Sequence, residues 1–577
     1  MKLNDPVVVA VRTSDEDAGL KSDPQGAARF CGSGFIPTAC RDQSRNCRTE
    51  VRPTLKAFGL LLWLLLGLSP MSVAAADEAG QETLRFAITR YAVEGATLLT
   101  AAEIEAAVAP FVGTDKDFSD VQSALEVIEA LYADRGYSAV HVLLPEQEME
   151  AGTVRFQVIE GHYGKVTVKN NRFFSEANLL NAIPSVRSGG VPKSKQVARE
   201  LRLANENPAR QMNVVLKGGE RDDELDASVQ VNDSKFSQWT ATLDNSGTVE
   251  TGRSRLGMSY RHANLFDRDQ VGQVQVQVSP QYMDRVKVLG GSYKIPLYRY
   301  GHSVELFGAY SNINSLVGGL SNFQGGGLMF SSRYNVPLER GGTFDPRLTF
   351  GFDWRKFNKV ELTNPPPTVL YDEIVVTPLS VAYATQGKVA RADVGLNASL
   401  AVNVPMSSSG KSANFASYDH VNLSNPTPGY KVLRAGGNVM LPFKSDWQLR
   451  GVCRGQWSGD RLIQGEQIRL GGADGVRGFA EGSESGEKGG LCNAETYTPA
   501  LDWKNSGTRA LLFFDGGAVY PKDSHRSIIM GAGAGLRSNF ADHFSLRVDA
   551  GRIVNAGTDA AQKKGDWRIH ASLSGTF

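Results

Sequence analysis

Residues 567–577 read WRIHASLSGTF, and their side chains alternate between apolar and polar character up to a terminal aromatic residue. On an extended strand, one face would carry the apolar and small residues Trp567, Ile569, Ala571, Leu573, Gly575 and Phe577. The other face would carry Arg568, His570, Ser572, Ser574 and Thr576. A strand that crosses hydrocarbon must belong to a closed sheet with apolar side chains outward and polar side chains toward the lumen. The segment therefore predicts the last strand of a transmembrane β-barrel, with Phe577 as its C-terminal signature.

The same alternation recurs far upstream, at residues 225–231 (LDASVQV), 273–278 (QVQVQV) and 544–550 (FSLRVDA). Repetition matters because a single alternating run also fits the half-buried strand of a soluble sandwich. Clusters of Gly, Asn, Asp and Pro interrupt the runs, as turns would. At about 9 to 11 residues per spanning strand plus loops, residues 224–577 have room for about 16 strands. The sequence predicts a mainly β fold, with an antiparallel transmembrane barrel over this segment.

An apolar run near the N-terminus is typical of an export signal. Lys56 precedes AFGLLLWLLLGL at 57–68, and small residues follow up to Ala76. We predict a signal peptide over 51–76, cleaved before Asp77; a buried helix of a soluble domain is the less favoured reading. Residues 1–50 are expected to be a non-native extension, if translation begins at Val51, or part of an extended signal peptide.

Between the predicted cleavage site and the barrel, the pattern changes to mixed α/β. Strand-like and helix-like segments follow one another in the order βααββ over 84–162. A second unit over 163–220 begins with a strand, continues through two helical segments and closes with the strand QMNVVLKGG. We expect two small domains on the periplasmic side of the membrane.

Two cysteines, Cys453 and Cys492, remain after removal of the export signal. They flank a glycine-rich segment near 459–488, and an exported chain meets oxidising conditions. They could pair as a disulfide, or they could be two small membrane-facing side chains; the sequence leaves both readings open.

Composition and motifs argue against other classes of function. A net charge of +1 argues against a dedicated nucleic-acid partner. The eight histidines are scattered without metal-ligand spacing, and a G-x-x-x-x-G-K-[ST] phosphate loop is lacking. We expect no catalytic residues, metal or cofactor, and not an enzyme. A barrel hydrolase, whose catalytic residues would be distant in sequence, is the less favoured reading because it would leave the two α/β units unexplained.

Several segments resemble a known family. The stretches 132–147 (YADRGYSAVHVLLPEQ), 152–166 (GTVRFQVIEGHYGKV) and 205–219 (NENPARQMNVVLKGG) resemble the two polypeptide-transport-associated (POTRA) domains of two-partner secretion transporters (TpsB proteins) of the hemolysin secretion/activation type. Residues 469–479 (RLGGADGVRGF) resemble the tip of the loop that re-enters the lumen in this superfamily, and residues 513–520 (FFDGGAVY) resemble the strand motif that receives it.

The resemblance implies that a reentrant loop docks inside the barrel. Its motif would be Val476, Arg477, Gly478 and Phe479, and the receiving motif would be Phe513, Asp515 and Gly517. Independently, a guanidinium that enters the lumen loses hydration and needs a carboxylate, which Asp515 would supply at a fixed depth. A solvated Arg477 in an outer loop is the competing reading.

The resemblance also implies the function and the partners. We expect an outer-membrane translocator for a secreted TpsA-type exoprotein, hemolysin- or adhesin-like, with lipid around the barrel and with periplasmic chaperones and the barrel-assembly machinery as partners during biogenesis. A barrel-assembly insertase of the same superfamily is the alternative, although it would carry more periplasmic modules; a passive pore would need none. Because only DEAGQETLRF lies between the cleavage site and the first strand, we expect no pore-plugging helix.

Overall fold

The computed structural model describes residues 84–577, apart from 149–150, 249–250, 284–285, 313–325, 363–367, 421–424, 504–505, 523 and 559–561. The predicted signal peptide, the segment before it and most of the stretch expected to lack a plug helix lie outside the described residues. The described chain forms two compact units, one of residues 84–134 and 140–159 and one of residues 135–139 and 160–577.

The N-terminal unit is the first α/β module. Its elements are β1 (Phe86–Ile88), β2 (Arg90–Glu94), α1 (Ala101–Val108), β3 (Gly113–Lys116), α2 (Phe118–Asp134), β4 (Val140–Leu143) and β5 (Thr153–Glu160). Helix α1 begins at a capping box, in which the Thr100 hydroxyl accepts from the Glu103 N–H and the Glu103 carboxylate accepts from the Thr100 N–H. Helix α2 buries Val121, Ala124 and Ile128 on one face. The main sheet has the order β2-β5-β4.

The C-terminal unit begins with a second α/β module. Its elements are β6 (His162–Lys169), α3 (Glu176–Asn181), α4 (Ser194–Ala204), β7 (Arg210–Gly218) and β8 (Glu224–Asp233). The sheet order is β6-β8-β7, so that β8 lies in the centre, parallel to β6 and antiparallel to β7. Tyr163, Leu179, Ile183 and Val229 form part of its buried core.

The position of β8 corrects one expectation, because the sequence predicts that the barrel begins at residue 224. Ala227, Val229 and Val231 of this strand pack into the core of the second module and are fully buried. Alternation of apolar and polar residues is the same for a strand that faces lipid and for one that faces a protein core, so the pattern could not separate the two. The barrel begins instead at β9 (Ser237–Asp244).

The described part of the chain closes as an antiparallel barrel of sixteen spanning strands, which confirms the predicted fold class. Two spanning strands consist of two segments each, β18 with β19 and β25 with β26. After β9, the barrel sheet contains β10 (Arg255–Leu265), β11 (Gln270–Val278), β12 (Lys287–Leu297), β13 (His302–Ser311), β14 (Gly327–Pro337), β15 (Asp345–Phe357), β18 (Ile374–Val376), β19 (Pro378–Val389), β20 (Ala392–Asn403), β21 (Lys431–Pro442), β22 (Gln448–Trp457), β25 (Lys488–Tyr497), β26 (Leu501–Trp503), β27 (Ser506–Tyr520), β28 (Ser527–Phe540), β29 (Phe544–Ala556) and β30 (Trp567–Thr576). Two short hairpins lie outside the barrel sheet: β16 (Val360–Leu362) with β17 (Thr368–Tyr371), and β23 (Ile468–Leu470) with β24 (Glu484–Gly486). A short helix, α5 (Ser412–Ala416), lies in the connection between β20 and β21.

Closure joins the last strand to the first. Strand β30 pairs with β9, and the backbones of Phe577 and Trp239 exchange two hydrogen bonds of 2.8 and 2.9 Å. The side chains of Trp567 and Ile569 are exposed on the outer surface, whereas His570 is buried inside. Both faces of this strand therefore follow the alternation in its sequence. Among the described residues, no helix is long and apolar enough to span a bilayer.

A buried ion pair connects the second module to the barrel. Arg210 of β7 contacts Asp269, in the turn between β10 and β11, and both side chains are almost completely buried. Arg210 also donates to Asn178 Oδ1 (2.9 Å) and to the Tyr298 hydroxyl (3.1 Å). Tyr298 lies in the next turn on the same side of the barrel, between β12 and β13, so one guanidinium links the module to two turns.

We expect Arg210→Ala to destabilise this junction strongly. Removing one partner of a buried pair leaves the other charge uncompensated, at a cost of about 3 to 5 kcal/mol. Hydrogen exchange measured by mass spectrometry on the purified protein should show faster exchange in β7 and β8. Arg221→Ala is the matched control in the same module, because the Arg221 pair with Asp223 is exposed; equal exchange in the two variants would contradict the importance of the buried pair.

Candidate functional site: a reentrant loop docked in the lumen

The connection between β22 and β25, residues 458–487, folds back into the barrel. It coincides with the segment for which the sequence predicts a reentrant loop near 459–488. The hairpin of β23 and β24 forms its stem, and residues 471–479 form its tip. The tip contacts lumen-facing side chains of β25, β27 and β29, as described below.

Arg477, at the tip, is the largest fully buried side chain in the described chain. Its Nε and Nη2 donate to the two oxygens of Asp515 on β27, at 2.7 Å each, in a bidentate arrangement. The Arg477 backbone N–H donates to the same carboxylate at 3.0 Å. Nη1 donates to Glu495 on β25 at 2.7 Å, and Asp549 on β29 lies 3.7 Å from Nη1. Three wall strands thus converge on one guanidinium.

The surrounding charges balance. Arg450 pairs with Glu495, and both Arg537 and Arg547 pair with Asp549. Arg547 also pairs with Asp474 of the loop. We call this set the docking cluster; its members are Arg450, Arg477, Arg537, Arg547, Asp474, Glu495, Asp515 and Asp549. Burial acts to lower the pKa of the Arg477 guanidinium, but the hydrogen bond with Asp515 and the charges of Asp515, Glu495 and Asp549 together outweigh burial, so the pKa lies above its ordinary value.

Glycines on the loop and on the wall provide the space for this contact. Gly478 has φ +100°, in the left-handed region that disfavours other residues. A Cβ on Gly531 of β28 would lie 2.0 Å from the Arg477 carbonyl oxygen, and a Cβ on Gly551 of β29 would lie 2.6 Å from the Gly478 nitrogen. The wall therefore admits the backbone of the loop only because these positions lack side chains.

The remaining motif residues also contact one another. Val476 and Phe479 are fully buried in an apolar cluster with Leu470 and wall residues of β25, β27, β28 and β29. The Phe513 ring lies beneath the guanidinium, 3.6 Å from Cζ to the ring centre. A Cβ on Gly517 would lie 2.9 Å from Leu470 Cδ1.

The structure therefore brings together all the loop and strand residues singled out from the sequence, while Phe577 lies apart, at the closure of the barrel. Sequence reasoning missed Glu495, Asp549 and the two wall glycines, Gly531 and Gly551. Their only signal was a position on the lumen face of a strand, which many residues share. Among the described residues, no group of three or more His, Cys, Asp or Glu side chains is arranged to hold a metal.

Cys453 and Cys492 form a disulfide between β22 and β25, where they are directly opposite each other in the sheet register. Both side chains are exposed on the outer surface. The two readings left open by the sequence thus hold together, since the cysteines are paired and also face the membrane. On the lumen side of the same strands, Glu495 and Arg454 contact the loop tip.

Two family models match the chain. One, described as Haemolysin secretion/activation protein ShlB/FhaC/HecB, matches residues 224–538. The other, for the ShlB-type POTRA domain, matches residues 86–161. The chain belongs to the haemolysin secretion/activation protein family. The first α/β module is a POTRA domain. The second module has a three-stranded sheet in which the last strand is likewise central, and its assignment as a POTRA domain stays a prediction.

Curated relatives and solved structures agree with this family. The outer membrane transporter CdiB of Escherichia coli O6:K15:H31 (strain 536 / UPEC) is 24% identical over 512 residues, which cover 84% of this chain and 82% of CdiB. The heme/hemopexin transporter protein HuxB of Haemophilus influenzae (strain 86-028NP) is 23% identical over 490 residues, which cover 79% of this chain and 81% of HuxB. The structure of CdiB from Escherichia coli has the same fold, with a TM-score of 0.69 and 21% identity over 88% of this chain and 94% of CdiB.

These findings confirm the prediction of a two-partner secretion transporter in the outer membrane, with its POTRA region in the periplasm. Because β9 follows the periplasmic modules and successive strands run in opposite directions, the connection between β22 and β25 starts from the external end of the barrel. The docked loop therefore enters the lumen from outside.

The docking geometry predicts how two isosteric variants differ. Asp515 accepts three hydrogen bonds from Arg477 and Glu495 accepts one, so Asp515→Asn should release the tip more than Glu495→Gln. A released Arg477 becomes a trypsin site. Trypsin added to intact cells should cut after Arg477 fastest in Asp515→Asn and slowest in the unmodified protein, as measured by mass spectrometry.

Arg526, exposed in the external turn between β27 and β28, is the internal reference for protease access. Cleavage after Arg477 at equal rates in both variants and the unmodified protein, with Arg526 cut normally, would contradict the docking role of Asp515.

Proposed function

We propose that the protein recognises an unfolded, secreted exoprotein in the periplasm and exports it through the barrel lumen. The observation that carries this proposal is the docked loop, a segment held inside the pore by ion pairs and not by covalent bonds. Such contacts close the lumen and can be exchanged for others. Lipid surrounds the barrel, and we propose that periplasmic chaperones and the barrel-assembly machinery deliver the protein to the membrane.

Recognition by addition of a strand fits the sheet edges of the periplasmic modules. Strand β7 is an edge strand of the second module. The Asn205 side chain exchanges two hydrogen bonds with the Met212 backbone, at 2.7 and 3.0 Å, as a neighbouring strand would. Backbone groups of alternate residues in a strand point to the same side. The N–H and C=O groups of Val214 and Leu216 therefore point away from β8, as those of Met212 do. An extended segment of the exoprotein could continue this edge by β-augmentation.

One strand of the lumen wall outside the docking cluster, β11, suits a passing polypeptide. On β11, Gln273, Gln275 and Gln277 alternate with Val274 and Val276, whose side chains are exposed on the outer surface. Neutral amides can form hydrogen bonds with the backbone of any polypeptide, and they do not bind charged side chains of one sign more tightly than those of the other. This lining supports transport of an unfolded chain, in which side-chain sequence varies along the path.

Displacement of the loop would be required before a chain could pass. We expect Arg477→Ala to leave membrane insertion largely intact but to abolish or strongly reduce secretion, because the loop no longer has the defined closed position from which an arriving exoprotein would displace it. Secreted exoprotein in the medium and heat-modifiable migration of the barrel measure the two properties separately. Export at the level of the unmodified protein would count against a role of docking in transport.

Deletion of the gene distinguishes export from barrel assembly. We expect loss of one secreted exoprotein from the medium, with the outer-membrane proteome unchanged, as measured by quantitative mass spectrometry of both fractions. Complementation with the intact gene is the control. A general fall in outer-membrane barrels would instead assign the protein to the insertase branch.

A further inference from the structure

We infer that the root of the reentrant loop forms a second gate at the external mouth of the pore, held independently of the Arg477 tip. The gate consists of an ion cluster around Glu466, here called the root anchor (Glu466, Arg355 and Arg434), and an apolar cluster next to it. This inference rests on the proposed role of the barrel as a conduit.

Glu466 lies in the first third of the loop, and its side chain is buried. Its carboxylate accepts from Arg355 Nη1 at 2.6 Å and from Arg434 Nη2 at 3.2 Å. Its backbone carbonyl accepts from the Gln456 side chain at 2.8 Å. Arg355 also pairs with Asp353 at 2.6 Å, which keeps its charge compensated within the wall. A buried carboxylate with two arginine partners fixes the root of the loop in one position.

The root anchor and the docking cluster use different parts of the wall. Arg355 is on β15 and Arg434 is on β21, whereas the carboxylates that bind Arg477 are on β25, β27 and β29. Glu466 and Arg477 are eleven positions apart in the chain. The segment between them therefore reaches across the lumen from one group of strands to the other, and its two ends pair with different residues.

An apolar cluster lies beside the root anchor at the external ends of the strands. Leu462 and Ile463 of the loop pack with Phe415 of α5 and with Tyr418, in the connection that follows β20. The wall contributes buried side chains from β12, β14, β15, β18 and β21: Val288, Met329, Phe357, Ile374, Val376 and Val432. A dry apolar constriction in a pore excludes water and ions.

The two anchorages should act additively because the ion-pair partners of Glu466 and those of Arg477 lie on different strands. Release of the tip would leave the root closed over part of the mouth, and release of the root would leave the tip docked. Full opening of the pore requires release of both the tip and the root. The arrangement would let the pore stay closed to small solutes until a chain has displaced the tip from the periplasmic side.

The test is the conductance of purified full-length protein in planar lipid bilayers, measured without any secreted partner. We expect Glu466→Gln to raise the fraction of time that the pore is open by at least about tenfold, because it removes the charge from a buried anchor. Ile463→Asn should act in the same direction by wetting the apolar cluster. Glu466→Gln combined with Arg477→Ala should open the pore more than either change alone.

Glu305→Gln is the matched control, since Glu305 of β13 pairs with Lys294 in the wall and does not take part in either anchorage. Heat-modifiable migration on gels verifies that each barrel is folded, and Arg434→Gln replaces Glu466→Gln if the latter fails to fold. Conductance of the root variants equal to that of Glu305→Gln, with Arg477→Ala open, would overturn the inference. Because no exoprotein is present, that result would leave the proposed export function untouched.

Discussion

The constraint on which the whole structure depends is that a peptide backbone in hydrocarbon has no water with which to form hydrogen bonds. Every N–H and C=O in the spanning region must find a partner in the sheet, and this requirement forces β30 to meet β9. Once the sheet is closed, alternation places polar side chains inside, and the interior becomes a space in which charged side chains can be paired. The docking cluster and the root anchor are both consequences of that polar interior.

Buried ion pairs contribute little net stability, because desolvation of the charges offsets much of their attraction. Their value here is geometric. Arg477 has a bidentate partner on one strand and a further partner on each of two others, so a small displacement of the tip loses several directional bonds together. Such a contact defines one closed position, and the side chains of Val476 and Phe479 pack beside it in an apolar cluster with the wall. Wall glycines such as Gly531 serve the same purpose by letting backbone approach backbone.

The sequence predicted the barrel, its approximate strand number and the two preceding modules, because alternation and turn residues repeat over hundreds of positions. It also placed Arg477 and Asp515 near each other, from motif resemblance together with the need of a desolvated guanidinium for a carboxylate. It could not assign β8, since Val229 is equally suited to a protein core and to lipid. Nor could it find Glu466 or Glu495, because pairing across a barrel depends on the register of strands that are distant in the chain, and a single sequence carries no record of that register.

The disulfide between Cys453 and Cys492 has a mechanical consequence for the barrel. It cross-links β22 to β25 from the lipid side, at the two strands that carry the ends of the reentrant loop. The disulfide prevents these neighbouring strands from sliding or separating, so the two ends of the loop keep a fixed distance from each other. Any change in the circumference of the barrel must therefore occur at other strand pairs. One of these, β30 with β9, pairs only from Ser572 to Thr576 and is reinforced by the backbone hydrogen bonds of Phe577.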